Sequence, residues 1–475
     1  MSEGETTSES NTPSTFITAA CVATALFMEQ LDSTVLATAL PAMAHDLHED
    51  PIALKLALTA YLLSLAVFIP LSGWTADKFG ARRIFRAAIV VFTLGSILCA
   101  FSYSLATIVA ARIVQGLGGA LMVPIGRLVL LRTAPRHELV RAMAWLAMPA
   151  LIGPVIGPPF GGFLATYAHW RYIFWINVPI GLLGVAVATR FIPDLTETHP
   201  RPLDLRGAIL SGIGLCGLVS GFTIGGRGLI APPLVALILI IGAMALTAYV
   251  RHARHALHPI LDLRLLRIPT FRAAILGGFL FRVGLGASPF LLPLLLQEGF
   301  HLTALQSGLL TFAGAAGALV MKTTAQPIIN RFGFRPVLIV NALISACFLF
   351  SYAFFTPETP QMTILLIILI GGFFRSLEFT ALNAIAYANI TSRDMSNATS
   401  FAAVGQQLAL STGVAIGAAV LEMSRSVHGG GQLVPEDFAP AFYVVAMITA
   451  LAATIFWPLH TTAGDELTNR RVKAS

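Results

Sequence analysis

The stretch FITAACVATALFMEQLDSTVLATAL, Phe16 to Leu40, decides how the rest of the chain is read. It contains neither glycine nor proline, and as a helix it is ~37 Å long, enough to cross a bilayer with some tilt. Yet Glu29 and Asp32 sit inside it, where an ionised side chain is costly and marks function by default. Spaced three apart, they share one helix face. Side by side in a medium of low dielectric, at least one is expected to hold a proton at physiological pH. It would release that proton when a charge or water arrives.

The surrounding composition agrees with a membrane chain. Of 475 residues, 56% are hydrophobic and 11% charged, against about 25% charged in soluble proteins. The formal charge of +7 need not mean nucleic acid, because the arginines lie between apolar runs. The start, MSEGETTSES, is acidic and lacks the basic start and cleavage site of a secretory signal. It reads as a disordered cytoplasmic tail before an uncleaved anchor. Cys21, Cys99, Cys216 and Cys347 fall inside apolar runs without a CxxC pair and are expected to be small buried packers. The histidine triplet His252, His255 and His258 has helical spacing, and reads better as an interfacial helix end than as a metal or pH-sensing site.

Apolar runs of spanning length occur near 16–40, 54–76, 84–101, 105–126, 143–166, 172–192, 207–224, 230–250, 273–294, 305–325, 337–355, 362–386, 399–421 and 441–459. With both termini cytoplasmic, inner turns collect clusters such as Lys78, Arg82, Arg83 and Arg86, while outer turns hold only Lys55, Arg171, Arg227 and Arg425. That asymmetry follows the positive-inside rule. DKFGAR at Asp77–Arg82 recurs as NRFGFR at Asn330–Arg335, each after the second run of six. The expected fold is an all-α polytopic membrane protein of 14 transmembrane helices, arranged six, two, six. Parallel halves that rock about a midplane site are a common transporter architecture. The expected divisions are a tail at 1–14, an N-terminal half at 15–192, a linker and helix pair at 193–250, a C-terminal half at 251–460 and a tail at 461–475.

Four motifs stand out. In GWTADKFGARR, Gly73 and Gly80 allow close approach and tight turning. Asp77, with Arg82 and Arg83, can form a latch that holds the halves in one state; Asn330, Arg331, Gly333 and Arg335 are its counterparts. In ARIVQGLGGALMVPIGR, Arg112 lies deep inside a span, at a cost of ~3 kcal/mol or more. It needs a carboxylate or water, and Gln115 adds a polar face nearby. In GPVIGPPFGG, Gly153, Gly157 and Gly161 form one smooth stripe, with Gly162 beside it and Pro158 bending the helix. Such a helix at the interface between halves suits rocking. The fourth motif is WRYIFWINVPIG, Trp170 to Gly181.

Together with LDSTVLATALP, these motifs resemble the major facilitator superfamily, in its fourteen-span drug:proton antiporter branch. SGWTADK, MVPIGRL and INRFGFRPVL are most similar to the bacterial multidrug-transporter-D subgroup. Three departures matter. Ala37 stands where the first-helix signature usually has Asn, Asn330 replaces an acid in the second loop, and Glu29 lies outside the general motif. The resemblance implies a proton-coupled antiporter of the bacterial inner membrane that exports small molecules by alternating access. It assigns proton coupling to Asp32 and Arg112, with Glu29 a second carrier or a substrate contact; a static ion pair is the plainer alternative.

The C-terminal half carries Arg282, Arg375, Glu378 and Asn383 inside its spans, candidates for substrate binding. Arg375 and Glu378, three apart, would pair with each other unless they serve the substrate. Lys322 and Arg127, near inner ends, can snorkel. The deep charges balance or lean basic, which tilts the substrate from lipophilic drugs toward organic anions such as citrate. An uptake symporter of the same fold is the alternative, and a membrane sensor or enzyme a remote one. No nucleotide motif, metal cluster or nucleophile triad is evident, so no cofactor, no catalytic or metal site and no nucleic-acid partner is expected. The chain is expected to work as a monomer with its substrate, protons and the bilayer.

Overall fold

The structure, a computed structural model, describes residues 15–133, 139–193, 202–224, 231–257, 259–391 and 394–465. The tail 1–14, Arg136, Arg201, Arg227, His258, Arg393 and the end from 466 lie outside them.

The chain is a succession of helices: α1 Thr15–Leu47, α2 Lys55–Phe68, α3 Ser72–Phe79, α4 Ala81–Ala100, α5 Leu105–Thr133, α6 Leu139–Tyr167, α7 Tyr172–Trp175, α8 Asn177–Phe191, α9 Leu205–Ile224 and α10 Pro232–His255. They continue with α11 Pro269–Leu294, α12 Ala304–Phe332, α13 Phe334–Ser351, α14 Gln361–Ile385, α15 Met395–Val427 and α16 Pro435–Phe456. Each of the fourteen apolar runs overlaps a helix. Among the described residues, 11 helices are long and apolar enough to cross a membrane. The chain is therefore a multi-pass membrane protein. Helix α1, which carries Glu29, Gln30 and Asp32, is not among the 11, nor are α6 and the shorter α9. The second run is one span, Lys55–Phe79, with a local break: α2 tightens into a 3-10 turn at Ile69–Leu71 around Pro70, then resumes as α3.

Two turns of matching design connect helices in the two parts of the repeat. Gly80 between α3 and α4 has φ +91°, and Gly333 between α12 and α13 has φ +82°. Only glycine takes that conformation cheaply. Two residues further on, Arg82 donates to the carbonyl of Thr189 on α8, and Arg335 donates Nε to the carbonyl of Trp457, just past α16, at 3.1 Å. Each arginine thus ties its turn to the last helix of its own six.

Helix α1 packs on α5, α6 and α8, and α4 on α5 and α8, while α2 lies against α5. Later in the chain α11 packs on α14, α15 and α16, α12 on α14, and α13 on α14 and α16. The two groups meet where α6 touches α12, where α2 touches α15 and where α1 touches α11. Since α2 and α12 occupy equivalent places, as do α6 and α15, the first two contacts are one contact repeated about a pseudo-twofold axis. Helices α9 and α10 pack on each other, and α9 also lies against α2 and α15.

The apolar core is not symmetric from end to end. Near the α1–α2 and α15–α16 turns, one cluster runs through both groups, from Val35, Ile52 and Phe174 to Phe290, Leu310 and Phe442. Toward the Gly80 and Gly333 turns it divides into two. One holds Val22, Tyr61, Phe85 and Phe92; the other holds Phe271, Met321, Phe334 and Phe456, and Phe401 of α15 touches both.

Several expectations change. Lys55, assigned to an outer turn, is fully buried at the start of α2. All four cysteines are free, but only Cys21 and Cys99 are buried, because the helix faces that carry Cys216 and Cys347 point away from neighbours. His252 bonds Asp204 at 2.7 Å, and His255 contacts the carbonyl of Arg251. Among the described residues no group of His, Cys, Asp or Glu could hold a metal ion.

Candidate functional site

The two carboxylates of α1 face different partners. Asp32 is 2% exposed, and Arg112 and Gln115 of α5 are fully buried. Arg112 Nη1 donates to Asp32 Oδ2 at 2.5 Å and to Gln115 Oε1 at 2.6 Å. Gln115 Nε2 donates to Asp32 Oδ1 at 2.8 Å and to Ser96 Oγ of α4 at 2.7 Å. Asn177, the first residue of α8, gives Nδ2 to Asp32 Oδ1 and to Ser96 Oγ, both at 3.1 Å. Side chains of α5 and α8 thus hold the α1 carboxylate, and Ser96 of α4 joins them into one network. Small residues let these helices approach: a Cβ on Gly95 of α4 would stand 2.6 Å from the Gln115 backbone.

Arg112 is held from its other side as well. Its Nε donates to the carbonyl of Ala57 at 3.3 Å, and the guanidinium stacks 4.1 Å from the centre of the Tyr61 ring. The Tyr61 hydroxyl donates to Glu29 Oε1 at 3.3 Å. Glu29, Tyr61, Arg112 and Asp32 therefore form one buried series across α1, α2 and α5. A buried ion pair with this many hydrogen bonds can be stable, whereas one stripped of a partner is strongly destabilised. A proton on Asp32 would cancel the charge that Arg112 faces and weaken this pair.

The second polar centre lies among α11, α12, α13 and α14. Arg282 is 6% exposed and donates Nη2 to Asn383 Oδ1 at 3.2 Å. It lies 5.5 Å from the centre of the Phe379 ring, and Lys322 Nζ lies 5.9 Å from the same ring. Lys322 does not run along its own helix to the membrane surface; it reaches α14 and donates to Thr380 Oγ1 at 3.0 Å. Arg127 is exposed on α5. Neither Arg282 nor Lys322 joins an ion pair among the described residues.

Arg375 and Glu378 do not pair, which corrects the expectation from their spacing. Their side chains diverge from α14 to different neighbours. Glu378 turns to α13, where Asn341 Nδ2 donates to its Oε2 at 3.0 Å. Arg375 lies over Gly314 of α12 and lines a small cavity with Phe281, Ser345, Tyr352 and Thr449.

The glycine stripe of α6 also faces otherwise than expected. Gly153, Gly157 and Gly161 pack against Gln30, Thr34 and Val35 of α1, in the same group, and Thr38 of α1 reaches the Pro158 carbonyl at 3.4 Å. The contact with the other group is made by the neighbouring face. A Cβ on Gly162 would meet the Ala304 carbonyl at 2.3 Å, and one on Gly308 the Pro158 carbonyl at 2.3 Å. The Leu305 amide donates to Thr166 Oγ1, Gln297 donates to the Thr38 carbonyl, and Arg425 pairs with Asp50, all across the groups at this end. At the opposite end Gly73 has open space around it, so the close approach expected there does not occur in this conformation. Arg83 and Arg331 are exposed there, and Asn330 accepts from Gln326 of its own helix at 3.0 Å.

The sequence model of the Major Facilitator Superfamily matches residues 22–259 and 274–474. The chain belongs to the major facilitator superfamily. It is 37% identical over 446 residues to a putative multidrug resistance protein MdtD of Salmonella typhi, covering 92% of this chain and 93% of that one. It is 34% identical over 458 residues to the protein of that name from Yersinia enterocolitica, covering 95% and 96%. The fold is that of a crystallised D-xylose–proton symporter (TM-score 0.67, 16% identity, 94% of this chain and 99% of that one) and of a POT family transporter (TM-score 0.68, 13% identity, 94% and 96%). As a major facilitator the chain is a membrane transporter of small molecules and not an enzyme. Within the superfamily fold, Ser96, Tyr61 and Asn177 join Asp32, Arg112 and Gln115, though the sequence reading named none of the three as a site residue. Asn177 lies in the quoted WRYIFWINVPIG, the one signal that could have found it. The Trp170 and Arg171 of that motif bond Asp46 at 3.0 and 2.6 Å and so fix the end of α1.

Proposed function

We propose that this transporter is a proton-driven exporter of organic anions of the di- or tricarboxylate class in the bacterial inner membrane. Its helices make fourteen spans in a six, two, six order, with both termini cytoplasmic, and it works as a monomer. The observation that carries the anion reading is the pair of cations about Phe379. Arg282 and Lys322 flank that ring from two helices, with only neutral partners, Asn383 and Thr380. Of the deep acids, Asp32 is held by Arg112 and Glu29 accepts from Tyr61, while Glu378 turns to Asn341 on α13. A lipophilic cation would meet two like charges at that ring, while a polycarboxylate would be paired by them, with Arg375 one turn along α14.

Proton coupling is assigned to the Asp32–Arg112 pair, with Glu29 as its neighbour through Tyr61. The joined end of the core faces outward and the divided end inward, so this conformation opens to the cytoplasm. Asp77, Arg82 and Arg83, with Asn330, Arg331 and Arg335, form the surfaces that meet when the inner end closes. The test is proton release from proteoliposomes with an imposed pH gradient, read by a pH-sensitive dye. Citrate-type anions should dissipate the gradient, and Asp32→Asn should abolish the response. If lipophilic cations alone do so, the substrate is a drug and the anion reading fails.

A further inference from the structure

Glu378 is fully buried, in the middle of α14. Its two oxygens are unequal. Oε2 accepts from Asn341 Nδ2 at 3.0 Å, while Oε1 has no hydrogen-bond partner. Asn341, 3% exposed on α13, shows the same half-use: Nδ2 donates, to Glu378 and to the Phe374 carbonyl, and Oδ1 is left without a partner. Two orphan acceptors therefore belong to a pair of side chains already in contact. An acceptor buried without a donor carries its full desolvation cost, and an unpaired carboxylate costs more.

One proton removes both costs. On Oε1 it cancels the charge and makes that oxygen a donor; a carboxylic acid and a primary amide can then bond through both of their edges. Among the described residues, one charged side chain acts on this position, Arg282 of α11, and it bonds Asn383. Of the other cations on neighbouring elements, Lys322 of α12 bonds Thr380 and Arg375 of α14 itself points to Gly314, while α13 contributes the neutral amide of Asn341. None of these cations forms an ion pair with Glu378. Asp32 differs, with an arginine at 2.5 Å.

We propose that Glu378 is held here as a neutral carboxylic acid paired edge to edge with the Asn341 amide, and that it is a second proton-binding group of this transporter, in the six helices that do not contain Asp32. Its conjugate cation in the deprotonated state is Arg282, which exchanges Asn383 for the carboxylate when the helices shift. The functional part of this rests on the proton-coupled reading; the protonation of Glu378 does not.

The test is infrared difference spectroscopy on the purified full-length protein at neutral pH, comparing wild type with Glu378→Gln. The expected spectrum has a protonated-carboxyl band in wild type that the variant lacks, and raising the pH converts that band into carboxylate bands. Asn341→Leu should move the band, because the acid loses its amide partner. Loss of carboxylate bands instead, in Glu378→Gln at neutral pH, would mean an ionised Glu378 and overturn the proposal. Glutamine is neutral and of the same shape, so this variant should keep the wild-type melting temperature. Should it fail to fold, Asn341→Leu decides alone, and an unmoved band refutes the pairing. The infrared readout needs no transport. A band without substrate-driven proton release sinks the antiport reading and leaves Glu378 neutral; proton release without the band sinks the second site alone.

Discussion

Asn177 donates its side-chain amide to Asp32 across 3.1 Å, from a helix that begins 145 positions later in the chain. It is the third side chain to hold that carboxylate, after Arg112 and Gln115. It ties Asp32 Oδ1 to α8 and, through Ser96, to α4; on the proposed proton-coupled reading, protonation of Asp32 would be felt beyond the ion pair.

Asn177→Leu removes one donor from a buried acceptor and should cost ~1–3 kcal/mol, read as a lower melting temperature in detergent. Asn177→Asp places a second acid beside Asp32 and should be worse. If both variants melt like wild type, Asn177 does not support the carboxylate.

Arg112→Ala leaves Asp32 buried and unpaired and should cost about 3–5 kcal/mol. The double variant with Asp32→Asn should lose less than the sum of the two single changes, because the residues share one network. Additive losses in a double-mutant cycle would contradict the geometry.

Gly80→Ala and Gly333→Ala force a side chain into a left-handed turn and should each cost ~1–2 kcal/mol. Gly73→Ala falls on α3 with open space around it and should be neutral or stabilising by up to ~1 kcal/mol. Thermal unfolding of the three variants side by side separates these outcomes.

Gly162→Val puts atoms where the Ala304 carbonyl stands, so the joined end should no longer seal. In a protein stripped of its native cysteines, labelling of Leu305→Cys by a membrane-impermeant maleimide from outside should rise several-fold. Unchanged labelling would show that this contact is not the seal.

Lys322→Ala and Arg282→Ala should each raise the KM for a carboxylate substrate at least several-fold without lowering the melting temperature to match. Thr380→Val, which removes only the hydroxyl bonded by Lys322, should have a smaller effect. If the alanine variants alter stability alone, the cations are structural and the anion reading loses its support.

What the sequence discloses follows from what is costly. Asp32, Glu29 and Arg112 are conspicuous because a charge inside an apolar run demands explanation. Tyr61, Ser96 and Asn177 are not, since an aromatic or neutral polar residue in such a run demands none; their meeting at Asp32 depends on which helices are neighbours. Helix spacing was enough to align Gly153, Gly157 and Gly161, but not to say that α1 rather than the other six helices covers them. The same limit explains Arg375 and Glu378: three residues apart is compatible with pairing, yet each side chain is long enough to take a better partner on a different helix. Pro70 marks a break that apolar length alone had smoothed over.

The seal between the two groups at Gly162 and Gly308 is made of main-chain carbonyls against glycine. At those two points no rotamer is frozen on closing or freed on opening, unlike at the neighbouring side-chain contacts of Thr166 and Gln297. Separating such surfaces returns little side-chain entropy, and joining them costs little. On the proposed alternating-access reading, the balance between the two states is left to the side chains that change company, among them Arg425 with Asp50 at the rim and Gln297 with Thr38, and to the carboxylates proposed to take up or give back a proton.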